Sequence, residues 1–221
     1  MNTLALTETN FTNISNSIEK DMTKLRMKHS AKLWEICKNH DASTAMKVIS
    51  VNEKQTAEMR QQGLLKTSDK YVTISTLDLL VLMIEMGLEF TWDLDWYEKT
   101  DKWGNQFTGK HKVIVYPNVD TGTLSHNEND GFGALSIYIL NSYDGTMRLS
   151  LFAGWLVWLC FNGMFRGDVL KLSTGEDAWL RQIHKDVTPE EVYALTRDLA
   201  QSVITYVENE EYKALEKQIE Y

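Results

Sequence analysis

At 221 residues, 43% of them apolar and 24% charged, the chain has the make-up of a folded protein, which excludes wholesale disorder. Its formal charge of −8 excludes a global attraction to nucleic acid, so any phosphate contact must come from a local patch. The charge is uneven: residues 1–70 carry 11 Lys/Arg against 8 Asp/Glu, residues 71–150 carry 5 against 11, and residues 151–221 carry 7 against 12. Only the N-terminal third is basic.

Cys37 and Cys160 lie far apart, which argues against a disulfide scaffold or a CxxC metal site and fits a reduced, cytoplasmic setting in a host cell. The first residues lack the basic and apolar regions of a secretory signal, and the longest apolar run, Leu149–Phe161, is too short to span a bilayer. No membrane association is expected.

In chain order, the Thr/Asn/Ser-rich residues 1–16 read as a loose arm. From about Ser17 to Asn39, apolar residues at Ile18, Met22, Leu25, Leu33, Ile36 and Cys37 recur at helical spacing. The lysines between them read either as a solvated face or as a phosphate-facing stripe of Lys20, Lys24, Arg26, Lys28 and Lys32. Asp41 or Ser43 caps a second helix that runs to about Gln62, where Gly63 stops it. Lys70 to Ile74 is short and strand-like. Ser75 or Thr76 then caps a helix ended by Gly87, apolar nearly all round and therefore expected to be buried against a sheet.

The periodicity changes at Leu88. Phe90, Trp92, Leu94 and Trp96 alternate with Thr91, Asp93 and Asp95, the pattern of a half-buried strand over residues 88–98. A second strand covers His111–Tyr116, and a polar loop follows from Asn118 to Gly133. Residues 134–143 and 146–159 form a hairpin whose tip, Asp144-Gly145, suits a tight type I′ turn with positive φ at both residues. Asn162-Gly163 punctuates the end of the apolar run. Thr188-Pro189-Glu190-Glu191 starts a helix that reaches about Val207. The expectation is an α+β fold with an antiparallel sheet of three to four strands flanked by helices, residues 17–70 forming a helical N-terminal region and residues 71–221 the core.

Motifs for catalysis are missing. Gly131-Phe-Gly133 lacks the rest of a dinucleotide fingerprint, and neither a phosphate-binding P-loop nor a GxSxG elbow occurs. Asp93 and Asp95 share a strand face, and with His111 or His126 they would suit a divalent metal, but no HxH, HExxH or CxxC spacing supports it. Cys160 sits in LVWLCFNG, an apolar setting that suits a buried thiol. No cofactor, metal or enzymatic activity is expected. Asn141, Ser142, Asp144 and Gly145 have the chemistry of a well-made turn in which Arg148 can pair with Asp144, or of a tip that touches a partner. Asn162 and Gly163, followed by Arg166, read in the same two ways.

At these residues the chain resembles a phage/plasmid-like protein family of unknown function carried by mobile genetic elements. The resemblance covers roughly Thr76 to Val207. It rests on Asn141-Ser142-Tyr143-Asp144-Gly145 with Arg148 after it, on Cys160-Phe-Asn162-Gly163-Met164, and on Arg181 and His184 before a long helix. The first 70 residues do not match the family's N-terminal pattern. The order of elements is also similar to the core of single-strand annealing recombinases, which bind single-stranded DNA in a ring or filament. These likenesses imply a non-catalytic protein of phage or plasmid DNA metabolism that binds single-stranded DNA for annealing or protection, as a homo-oligomer. A positive groove with aromatic platforms would then draw on Lys110, Lys112, Arg148, Arg166, Lys171, Arg181 and Lys185, with Trp103, Tyr143 and Trp179. The alternative is an anti-defence protein that inhibits a host nuclease through a phosphate-mimicking acidic surface. Its carboxylates would come from Asp93, Asp95, Glu98 and Asp101, or from Glu208, Glu210 and Glu211.

Overall fold

The computed structural model describes residues 8–38, 41–68, 70–100, 106–118, 134–157, 164–169, 179–182 and 187–210. Four strands arise where the sequence alternates: β1 (Phe90–Thr100), β2 (Gln106–Pro117), β3 (Ala134–Ser142) and β4 (Leu149–Val157). They pair antiparallel in that order. Two short strands, β5 (Met164–Val169) and β6 (Trp179–Gln182), complete a six-stranded antiparallel sheet. Both lie on the same side of β4: β6 along Leu149–Phe152, and β5 along its C-terminal half.

The register places Trp92 opposite Val115, Val115 opposite Ile137, and Ile137 opposite Ala153. The next row runs Leu94, Val113, Ile139, Leu151, all with no solvent exposure. These rows form the sheet half of one core. Among the described residues, α1 (Glu8–Ile36), α2 (Ala42–Ile49), α4 (Thr76–Glu85) and α5 (Pro189–Glu208) supply the rest, while α3 (Glu53–Gln61) buries only Thr56. The α+β class expected from the sequence is therefore the observed one. α4 lies between α1 and α5 and is buried from Thr76 to Ile84, as its lack of a polar face requires.

Several boundaries depart from the sequence reading. α1 starts at Glu8, so residues 8–16 belong to a helix and not to a loose arm. Met22 and Leu33 of α1 join the same apolar cluster as the sheet, so the helical N-terminal region is packed into the core. The single helix expected up to Gln62 is two, because Asn52 breaks it and starts another: its side chain accepts from Gln55 N–H while Gln55 returns a bond to Asn52 N–H. Residues 70–74 form no strand. α5 follows its sequence signal, with Thr188 and Glu191 in a reciprocal cap around Pro189.

One polar contact sits among the apolar helices. Asp78 of α4, 1% exposed, accepts from Arg26 of α1 at both oxygens (Nε–Oδ1 2.5 Å, Nη2–Oδ2 2.8 Å) and from the Tyr193 hydroxyl of α5 at 2.6 Å. Arg26 also donates to Glu19 at 2.7 Å. The contact joins all three helices by charge-assisted hydrogen bonds. Asp78→Asn would leave the Arg26 charge facing a neutral amide in a buried setting. Chemical denaturation should then show a loss of roughly 3–5 kcal/mol. A loss below ~1 kcal/mol would mean that water replaces the carboxylate.

Candidate nucleic-acid interface

Strand alternation puts Thr91, Asp93, Asp95 and Tyr97 of β1 on the sheet face away from Trp92 and Leu94. The register continues that outer face: Tyr97 lies opposite Lys110, and Asp95, Lys112, Leu140 and Ser150 form one cross-sheet row. Asp93, Ile114, Tyr138 and Phe152 form the next row, in which the Tyr138 and Phe152 rings are 5.0 Å apart. Much of this face is buried as well, including Ile114, Tyr116, Ser136 and Phe152. Its open part is the end near Tyr97, which is 59% exposed.

A register shift shapes that end. Tyr97 pairs with Lys110 but Glu98 pairs with Thr108, so Gly109 is an extra residue on β2. The Gly109 carbonyl instead accepts from Tyr143 N–H at 2.9 Å. The Lys110 ammonium lies over the Tyr97 ring, 4.4 Å from its centroid. Lys112, half-buried, is paired with Asp95 at 2.6 Å. Burial pulls its ammonium down, but the hydrogen bond and charge of Asp95 leave it above its ordinary value.

Behind this end lies a buried polar cluster built from the motif residues. Asn141 Nδ2 donates to the Ile74 carbonyl at 2.7 Å and to Thr76 Oγ1 at 3.0 Å. The Thr76 hydroxyl, accepting there, also shares a hydrogen bond with His111 Nε2 at 2.7 Å. The His111 ring is tilted against Tyr143 at 5.0 Å. Tyr143 donates to the Val48 carbonyl at 3.0 Å, the Tyr71 hydroxyl donates to the Ser142 carbonyl, and Ser142 Oγ exchanges bonds with Met147. Asn141 and Ser142 thus fasten the end of β3 to the start of α4 and to the chain before it. The tip is no two-residue type I′ turn. Gly145 has φ of +73°, but among the described residues the only other positive φ outside glycine is at Glu210. Asp144 Oδ1 accepts from Thr146 N–H at 3.0 Å and from its hydroxyl at 2.6 Å, an Asx turn.

The sequence-predicted residues divide accordingly. Lys110, Lys112 and Arg148 gather at one end of the sheet, Arg148 exposed, and register puts Arg181 opposite Ser150 and Trp179 opposite Phe152 at that end of β4. Arg166 belongs to β5, which runs along the other half of β4 from Gly154 to Val157. At about 3.3 Å per residue it lies roughly 17 Å along β4 from Arg181. Tyr143 is 1% exposed and offers no ring to a base, which corrects its expected role as a platform. Lys171, Lys185, Trp103, Asn162 and Gly163 lie outside the described residues, as does His126. Of the lysine stripe of α1, Arg26 is held by Asp78 and Lys28 by Glu85 at 2.8 Å, while Lys20, Lys24 and Lys32 are exposed. Tyr97 was missed, although its parity with Asp93 and Asp95 gives its face. Its significance depends on the bulge at Gly109, for which an isolated glycine inside a strand run is the sequence signal.

His111 lies opposite Trp96 on the core side, away from Asp93 and Asp95, so these three do not converge on a metal. No group of three His, Cys, Asp or Glu suited to a metal occurs among the described residues. No described helix is long and apolar enough to cross a membrane. No family model, no curated protein and no solved structure matches the chain.

Burial first, and neighbouring carboxylates in part, push the phenols of Tyr71, Tyr116, Tyr143 and Tyr193 well above the ordinary tyrosine range. A raised folded value means stability that is complete below the unfolded value of about 10 and lost as pH rises past it. Absorbance titration should therefore show these four tyrosines ionising only with an alkaline unfolding transition. Reversible ionisation of all nine tyrosines near pH 10, with the fold intact, would contradict these placements.

Proposed function

We propose that the chain is a non-catalytic protein of phage or plasmid DNA metabolism that binds single-stranded DNA for annealing or protection. The observation that carries this reading is the exposed Tyr97 ring with the Lys110 ammonium over it, at a sheet end shared with Lys112 and Arg148. An aromatic face accepts any base by stacking, and an adjacent cation neutralises the phosphate, which is the pairing that sequence-tolerant single-strand binding needs. Arg181 extends the line of cations across the sheet by register. Strands spaced about 4.8 Å apart make the span from β1 to β6 roughly 20 Å, enough for a few extended nucleotides.

The −8 charge favours the second reading, an anti-defence protein that presents carboxylates to a host nuclease. Its first surface is weakened, because Asp95 is paired with Lys112 and Glu98 accepts from Trp96 at 3.3 Å on the opposite strand face. Glu208 and Glu210, both exposed at the end of α5, are the better candidates.

A salt series with a labelled oligonucleotide separates the two. Tyr97→Ala should weaken binding by about 1–3 kcal/mol. Lys110→Ala and Arg148→Ala should each lower the salt slope by about 0.7, the value for one phosphate contact on a single strand. Asp95→Asn should strengthen binding, since it releases Lys112 from its partner. Absence of affinity at low salt for the folded wild-type protein would leave the anti-defence reading as the answer.

A further inference from the structure

Large apolar side chains exposed among the described residues are three: Met27, Trp34 and Tyr97, at 80%, 50% and 59%. Two of them are on α1, seven residues apart. Helical spacing puts them in one stripe with Lys20, Thr23, Lys24, Ser30 and Ala31, on the side of α1 away from the buried Met22 and Leu33. No carboxylate interrupts the stripe; Glu19 at its margin is bound to Arg26, and Asp21 lies 3.5 Å from Lys24.

The order of side chains along the stripe is self-complementary. When two copies of α1 are laid antiparallel with Met27 on the two-fold axis, Lys20 of each meets Trp34 of the other. Thr23 and Lys24 then face Ala31 and Ser30, which are small enough to let the helices approach. A cation over an indole face is a favourable contact, strongest when water is excluded, and methionine adapts to its own copy on the axis. In a parallel arrangement Lys20 meets Lys20 and the aromatic contact is lost. We infer that the chain forms an isologous dimer through an antiparallel α1 pair centred on Met27. The symmetry requires this shape, with one patch serving both partners. The surface is separate from the sheet end of Tyr97 and Lys110, so the dimer holds whether or not that end binds DNA.

The test is sedimentation of the full chain over a range of concentrations, combined with thiol cross-linking. Wild-type protein should dissociate reversibly as a dimer. Met27→Glu should abolish the dimer, because it sets two carboxylates against each other on the axis, and Lys20→Glu should weaken it roughly tenfold, since it removes two symmetric cation–indole contacts. Both positions are exposed, so thermal unfolding of the monomer should be unchanged. In a Cys37→Ser, Cys160→Ser background, Met27→Cys should cross-link to its own copy under mild oxidation, whereas Trp34→Cys should do so only with Lys20→Cys. A wild-type monomer at about 200 µM, a dimer indifferent to Met27→Glu, or self-cross-linking at position 34 would each overturn the inference.

Discussion

The carboxylate of Asp78 is the contact on which the helical layer depends. An all-round apolar helix such as α4 packs well in many rotations and at many heights, because dispersion and apolar burial carry no direction. Asp78 removes that freedom. It faces the one direction in which Arg26 and Tyr193 reach it together, and so fixes α4 against α1 and α5 at once. The guanidinium accounts for both oxygens and the phenol adds a third bond, so a charge that would be costly alone is satisfied. α1, far from being an appendage, supplies the cation that lets this carboxylate be buried.

A second buried polar group fixes the sheet relative to that layer. Asn141, Thr76 and His111 connect the end of β3, the first residue of α4 and the core face of β2. The Asn-Ser-Tyr-Asp-Gly stretch that stands out in the sequence therefore works as a fastening, with Tyr143 and Tyr71 inserted beneath it. What it leaves to function is geometry: the pull of Tyr143 N–H on the Gly109 carbonyl coincides with the register shift that sets Tyr97 beside Lys110.

Period and punctuation made the four long strands, α4 and α5 legible, because Phe90-to-Trp96 alternation and the Thr188-Pro189 start report burial and caps directly. Asn52 was less visible: inside a helix-compatible run it looks like any polar residue until its partner Gln55 is considered. The start of α1 at Glu8 was hidden by Thr, Asn and Ser, whose low helix propensity is outweighed once Met22 and Leu33 anchor the same helix in the core. Among site residues, charge type was readable and availability was not. Lys112 and Arg26 look alike in sequence to Arg148, yet each spends its charge on a carboxylate brought close by tertiary structure, Asp95 seventeen residues earlier on the neighbouring strand and Asp78 on another helix.

The way the sheet ends has a consequence for behaviour at high concentration. On one side, β4 is covered by two short strands in succession. On the other, the segment after α1 bridges β1 at Trp92 and hydrogen-bonds its carbonyl. A foreign strand needs an uninterrupted ladder of donors and acceptors to zip onto a sheet, and on the β1 flank the Trp92 carbonyl is already taken. Beyond Trp92 the same edge strand carries Asp93, Asp95 and Glu98, and a second copy laid along it would bring like charges together, which opposes polymerisation edge to edge.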